Sequence, residues 1–390
     1  MKLPGNIGAA LRAAAAYSMP FAAWRRPGGT VFEAVISCGA TARRAVFAAG
    51  AAQPFFALNR FDSPDANISD AIVADIVLEG SALRYRNGET YASEPIDDAQ
   101  HRIARAAAES AAESAPLRAG AGAERPKQTG EAGYRDLVAR ATAAIGDGAF
   151  RKVVTSRAEA RPLAADHDLL ALLETLAAKL PEAFVALVHL PGEGAWLVGT
   201  PESLLSVRNN RVSTVALAGT QWAKEDTAAG DVCWPDKIIE EQALVGSYIR
   251  GAFEAGGIHE FDERGPRTVR AANLVHLRSE FEADLARNPH AALDTLLRKL
   301  HPTSAVLGMP KKPAYDFLLE HEGYERGYYT GFLGPVGFDG ATDLYVNLRT
   351  AQIIGDTAYL YVGGGIVGDS RPEVEWEETV QKTRTVGSIL

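Results

Sequence analysis

The stretch GGGIVGDSRPEVEWEETVQKTRTV, Gly363–Val386, decides the reading of this chain. A glycine run closes a strand, and Ser370 and Glu373 then stand as an S-x-x-E capping box that opens a helix. Along that helix Glu375, Glu378 and Lys382 fall at i, i+3 and i+7 and share one face. Two carboxylates so spaced suit a hard divalent cation such as Mg2+, which takes oxygen ligands and keeps several waters. The lysine adds a positive charge for an anionic substrate. Three glycines ahead of a helix N-terminus leave backbone N–H groups open to an anion. A solvated helix face with ordinary ion pairs gives the same pattern, so the rest of the chain has to decide.

Composition narrows the classes. A hydrophobic content of 47% with 23% charged residues is that of an ordinary globular protein, and 390 residues can bury one large core or several. A net charge of -9 argues against a general nucleic-acid binder, whose footprint is basic. An anionic substrate then needs locally placed Lys or Arg. Cys38 and Cys233 stand far apart, which excludes a disulfide framework or a cysteine zinc site and fits a reducing, cytoplasmic setting. No apolar run reaches membrane-spanning length. The alanine-rich opening Gly8–Trp24 is interrupted by Arg12 and followed by Arg25 and Arg26, so it reads as a helix leading into a strand rather than a secretion signal.

Residues 1–105 carry a helix near Ile7–Tyr17 and strand-like runs at Thr30–Ser37, Pro54–Leu58 and Ile72–Leu83, with no chemical motif. The stretch 106–133 is rich in Ala, Glu, Gly, Ser and Pro and reads as a linker. It divides a variable N-terminal part, 1–130, from a region 134–390 that carries the motifs. In that region helices are expected at Tyr134–Ile145, Leu169–Leu180, Asp236–Phe253, Ala291–Leu300 and Lys311–Glu322. Strands are expected at Phe150–Ala158, Phe184–His189, Ala195–Val198, Arg211–Leu217, Asn273–Leu285, Leu344–Ile353 and Ala358–Val362. Antiparallel strands interspersed with helices argue for an α+β fold with large sheets.

Taken singly, the polar residues are weak signals. Alternation in Phe150–Ala158 puts Lys152, Val154 and Ser156 on one face and Val153, Thr155 and Arg157 on the other. Glu202 follows a proline at a turn. Glu241 shares a helix face with Ile238, Val245 and Tyr248, which suggests partial burial and a ligand role more than Glu240 does. His276 stands alone. Arg349 lies opposite the apolar face of Leu344, Val346 and Leu348 and has the reach for a bidentate carboxylate contact. The glycine run has no G-x-x-x-x-G-K-[ST] pattern, which weakens a nucleotide-loop reading.

Together these segments resemble the chorismate-utilising enzymes (anthranilate synthase component I-like), and within them the isochorismate synthases. The resemblance runs from about Tyr134 to Leu390 and rests on ten ordered motifs: KVVTSR, GTPESLL, LAGT, KIIEEQALV, HLRSEF, LHPTSAVLGMP, RGYYTGFLGPVG, LYVNLRTA, YVGGGIV and PEVEWEETVQK. It implies the family's α+β fold, with large antiparallel sheets packed face to face and helices outside. It implies Lys152 as the general base on water and Glu202 as the acid that protonates the leaving 4-hydroxyl of chorismate. It implies Mg2+ held by Glu241 and Glu378, with Glu375 supporting the hydrated ion. Substrate carboxylates would meet Arg349, Lys382 and the backbone at Gly364 and Gly365, while Gly219, Thr220, His276, Thr303 and Ala305 would border the pocket. A monomer is the implied state.

The implied chemistry is coherent. Water attacks C2 as the C4 hydroxyl leaves, which needs a base on one side and an acid on the other. A lysine serves as base only when neutral, and a glutamate as acid near neutral pH only when burial raises it. Lysine at 152 points to water as nucleophile, because ammonia-using anthranilate synthases tend to carry glutamine there; aminodeoxychorismate synthases share the lysine. Ala305 matches the isochorismate synthase form of its segment. Gln242 replaces the usual histidine after the metal glutamate, and Ile238 stands where an acidic residue is common. The alternatives left open are a salicylate synthase, which goes on to eliminate pyruvate, a chorismate binder without turnover, and a nucleotide binder using Gly363–Gly365.

Overall fold

A computed structural model describes residues 1–48, 53–109, 115–222, 232–271 and 274–390. The chain begins with α1 (Gly5–Ala16), β1 (Phe21–Arg25), β2 (Glu33–Ile36), β3 (Ala42–Ala45), β4 (Phe55–Asn59), β5 (Ile68–Val73), β6 (Ile76–Glu79), β7 (Ala82–Asn87), β8 (Thr90–Ala92) and α2 (Asp98–Ala108). It continues through α3 (Glu131–Gly146), β9 (Lys152–Pro162), α4 (Leu169–Lys179), β10 (Phe184–Leu190), β11 (Gly194–Thr200), β12 (Ser203–Arg208), β13 (Arg211–Trp222) and α5 (Asp236–Ala255). The last part holds β14 (Asp262–Ala271), β15 (Leu274–Asp284), α6 (Leu293–Leu300), β16 (Gly308–Met309), α7 (Lys311–His321), β17 (Phe332–Phe338), β18 (Ala341–Val346), β19 (Thr350–Ile354), β20 (Thr357–Ile366) and α8 (Pro372–Gly387).

Two antiparallel sheets organise these elements. The first has the order β16-β9-β20-β19-β11-β10-β1-β2-β6-β7-β8, the second β14-β15-β13-β12-β18-β17-β4-β5-β3. Each joins strands from both ends of the chain: Phe21 pairs with His189 across β1 and β10, and Phe332 with Asn59 across β17 and β4. The sheets bury their inner faces against each other, with Trp24 and Phe56 at 5.1 Å and Phe184 stacked on Tyr345 at 4.1 Å. Such aromatic pairs add roughly 0.5–1.5 kcal/mol each beyond their area. On the outer face of the first sheet, Ile7 and Leu11 of α1 and Leu173 and Leu176 of α4 share a core with Phe21 and Leu187. On the second, Ile249 and Phe253 of α5 and Leu297 of α6 pack with Val212 and Phe281. A smaller core gathers α3, α7 and α8 around Val153 and Ile366, at the end of the first sheet that carries β9. This is the expected face-to-face architecture. Among the described residues no helix is long and apolar enough to cross a membrane.

Three local expectations are corrected. Ile72–Leu83 is not one strand: the run breaks at buried Asp75, which accepts from Cys38 N at 2.8 Å and Arg86 Nε at 2.6 Å. The chain there passes from β5 in the second sheet to β6 in the first. Leu344–Ile353 also divides, into β18 of the second sheet and β19 of the first. At the crossing, Asn347 donates to Tyr328 O at 2.9 Å, and Arg349 takes φ 47. Strand alternation therefore does not reach Arg349. The S-x-x-E box does not form either. Helix α8 starts at Pro372, whose fixed φ suits a first turn, and the Ser370 hydroxyl goes instead to Glu375 Oε1 at 2.7 Å. Asn273 lies outside the described residues. Residues 115–130, within the stretch that reads as a linker, form no helix or strand, yet Leu117 and Ala119 are buried in the core beside α4.

Candidate active site

Strand β9 carries Lys152 at its start, next to Met309 of β16 on one side and the glycine end of β20 on the other, where Val154 pairs with Gly365. The expected alternation holds. Val153 is buried in the core with α3 and α7, Thr155 and Arg157 meet α3 and α8, and Lys152 turns to the opposite face. There its ammonium forms an ion pair with Glu241 of α5. Glu241 is half-buried and Glu240 exposed, as the apolar neighbours on the helix imply. A Cβ on Gly365 would stand 2.9 Å from Lys152 Cε, and one on Gly364 would stand 3.2 Å from Glu375 Oε2 and 3.6 Å from the Tyr134 hydroxyl. The glycine run thus leaves room for a lysine above it and a carboxylate beside it.

Glu202 sits in the turn between β11 and β12, anchored by Val346 N to its carbonyl at 3.0 Å. Burial pushes its carboxyl up to about 7, against the opposing pull of Lys152, Arg349 and the Thr303 hydroxyl. That hydroxyl is buried and, though close enough to act on Glu202, makes no hydrogen bond of standard geometry. Burial lowers the Arg349 guanidinium, and Glu202 counters it. Burial, then the charge of Arg349, also lowers His276. Lys152, Glu202, Arg349, His276 and Thr303 therefore form one electrostatic cluster drawn from both sheets. Ala305 lies half-buried in the same loop as Thr303.

Gly219 and Thr220 face β15, with Thr220 opposite His276; the Thr220 side chain lies outside the described residues. A Cβ on Gly219 would come 2.6 Å from Ile238 Cγ2 and 2.7 Å from Trp234 Cζ3, so packing of the approach to α5 already demands glycine there. Gln242, in the place of a histidine, is buried and donates to Ala216 O at 3.2 Å and Ser279 Oγ at 3.0 Å. It ties α5 to β13 and β15.

The carboxylate face of α8 is divided. Glu375 is buried, and burial followed by the charges of Glu378 and Asp369 raises it against the bond from Ser370. Glu378 is exposed and paired with Lys382 at 2.7 Å, and Lys382 also donates to Gly363 O at 2.8 Å. Among the described residues no three acidic, histidine or cysteine side chains stand close enough to hold a metal ion. The donors Glu241, Glu375 and Glu378 fit a hard cation in kind, and the repulsion at Glu375 is of the sort a cation relieves. Two of the three are engaged by lysines in this arrangement. Sequence reasoning missed the supports. Tyr134 accepts from Thr155 Oγ1 at 3.1 Å beneath Gly364. Arg157 is buried, bonds Thr379 Oγ1 at 2.9 Å and lies 4.3 Å over the Trp376 ring, holding α8 to β9. The KVVTSR motif contained that arginine, but only the alternation shows that it turns away from Lys152.

Comparison with known proteins bears on the family and the fold. Residues 81–390 match the family model described as chorismate binding enzyme. The salicylate biosynthesis isochorismate synthase of Pseudomonas aeruginosa is 34% identical over 259 residues, which is 65% of this chain and 53% of that protein. Anthranilate synthase component 1 of Streptomyces coelicolor is 32% identical over 315 residues, 76% of this chain and 61% of that protein. The chain thus spans between half and two thirds of the length of these curated relatives. In structure, the menaquinone-specific isochorismate synthase MenF of Escherichia coli superposes with a TM-score of 0.75 at 25% identity, covering 95% of this chain and 88% of that one. With the family model spanning most of its length and the fold shared, the chain belongs to the chorismate-binding enzymes.

Proposed function

We propose that this protein is an isochorismate synthase, which adds water at C2 of chorismate as the C4 hydroxyl departs. The observation that carries the reading is Glu202: a carboxyl pushed up to about 7 by burial, in one cluster with Lys152 and Arg349. Near neutral pH such a group holds a proton that it can give to a leaving hydroxyl, which an ordinary glutamate does not. Lys152 is the residue assigned to water; its contact with Glu241 has to open for the amine to reach the nucleophile. Arg349 and Lys382, with backbone N–H groups near Gly364 and Gly365, would hold the substrate carboxylates. Mg2+ would draw on Glu241, Glu375 and Glu378 only once they are brought together, since among the described residues no three such side chains stand close enough to hold it in this arrangement, and when bound it would supply positive charge against the ring carboxylate. The reading extends to a soluble enzyme acting as a monomer in the cytoplasm.

The test is a product assay with purified protein, chorismate and Mg2+, with and without ammonium, resolved by chromatography. Isochorismate that needs Mg2+ and ignores ammonium is the expected outcome. Salicylate with pyruvate would assign a salicylate synthase, and an aminated product would overturn the role of Lys152. Binding of chorismate without product would leave only a binding protein.

A further inference from the structure

Behind the cluster lies a buried ion pair that takes no part in the reaction proposed above. Arg326 and Glu322 expose almost no side-chain surface, 1% and 3%. All five guanidinium N–H groups are used. Nε donates to Glu322 Oε2 at 2.6 Å, and NH1 to Val306 O at 2.9 Å and Thr330 Oγ1 at 3.2 Å. NH2 donates to Val154 O at 2.6 Å and Glu322 Oε1 at 2.7 Å. The guanidinium plane lies 4.4 Å from the Phe61 ring centre. Glu322 in turn accepts from Ser156 N at 2.6 Å and Ser156 Oγ at 2.8 Å.

The two carbonyls that Arg326 joins belong to different parts of the site. Val154 is two residues along β9 from Lys152. Val306 is three residues along the loop from Thr303, the hydroxyl beside Glu202. The two segments also touch directly, Val154 N donating to Leu307 O at 2.9 Å. A charge with this little exposure survives only where every donor is matched, and a planar five-donor fork is the one side chain that bridges two carbonyls, a hydroxyl and a carboxylate at once.

We propose that Arg326, held by Glu322, is a positioning residue that fixes the strand bearing Lys152 against the loop bearing Thr303, and so sets base against acid. The proposal rests on the roles given to Lys152 and Glu202 above. The test is Arg326→Lys, which keeps the charge and loses the fork. Displacing reacting groups by about 1 Å costs on the order of 100-fold in rate. The variant is expected to lose about that factor in kcat, with KM for chorismate changed less than about 3-fold. The limb of the pH profile due to Glu202 should shift as the loop bearing Thr303 loses its fixed place beside that carboxyl. Hydrogen exchange should quicken in peptides spanning 152–156 and 303–309 and stay unchanged in β1, β2 and β10. Equal loss in kcat and KM, an unmoved limb, or unchanged exchange in those two segments overturns the proposal. The exchange measurement needs no turnover, so it judges Arg326 even where the wild-type protein makes another product, and product identity alone judges the functional reading. Should Arg326→Lys not fold, Thr330→Val removes one arm of the fork and carries the same three readouts at smaller amplitude.

Discussion

Replacing Glu202 by glutamine should make the protein more stable and inactive, and the gain should depend on pH. The carboxyl is raised from 4.5 to about 7, chiefly by burial. Below the unfolded value both states hold the proton and Glu202 has no effect. As pH rises through the interval, the unfolded chain releases its proton and the native protein does not. Stability therefore falls until the folded value is passed and stays lowered above it. The full difference, at 1.36 kcal/mol per unit, is about 3 kcal/mol. An unfolding entropy of roughly 2.1 cal/mol/K per residue over this length makes that about 4 °C in Tm. Glutamine has nearly the same shape and no charge to desolvate. Differential scanning calorimetry should show equal Tm values for wild type and Glu202→Gln near pH 4.5, a gap opening between pH 5 and 7, and a variant about 4 °C higher at pH 8. A gap that does not vary with pH, or a variant less stable at pH 8, would refute the claim that burial of this carboxyl is costly and hence that it serves as the acid.

Other consequences are more direct. Lys152→Ala should abolish product formation while chorismate still raises the melting temperature; turnover close to wild type would remove Lys152 as the base. Glu378→Gln should weaken Mg2+ binding in a calorimetric titration, because an amide is a poorer ligand than a carboxylate, with less than about 1 kcal/mol lost in stability since its pair with Lys382 is exposed. An unchanged titration would move the metal site elsewhere. Gly365→Ala should push Lys152 aside, since the new Cβ would stand 2.9 Å from Lys152 Cε. A loss of on the order of 100-fold in kcat with little change in Tm is expected, because a flexible side chain can yield where backbone cannot; unaltered kinetics would mean that Lys152 needs no room over the glycine run.

What could be read in the residues depended on the range of the interaction. The period-2 pattern of β9 gave its two faces correctly, because the strand lies wholly in one sheet. The same pattern failed over Ile72–Leu83 and Leu344–Ile353, where the chain passes between sheets and nothing local tells one sheet from the other. Helical spacing placed Glu378 and Lys382 together, and they do pair. It could not show that Lys152 reaches Glu241, 89 residues away. Nor could it show that Glu202 is surrounded by Arg349 and Thr303, from segments one hundred and more residues further on. The S-x-x-E signal misled because Pro372 already supplies the start of α8 and Glu375 takes the serine hydroxyl. The Gly219 motif was legible as a position but not as a reason: Ile238 and Trp234 account for its missing side chain. Arg326 was visible only as part of RGYYTG, since its five bonds reach four residues, two of which, Val154 and Val306, lie in other segments of the chain.

In the proposed reaction water, activated at Lys152, adds to C2 while Glu202 releases the hydroxyl at C4. This is tested most directly by running the reaction in oxygen-18 water and locating the label by mass spectrometry and NMR. Isochorismate carrying one heavy oxygen, at the C2 hydroxyl, after a single turnover is the predicted result. Unlabelled isochorismate, in which the original hydroxyl has migrated, would contradict the account.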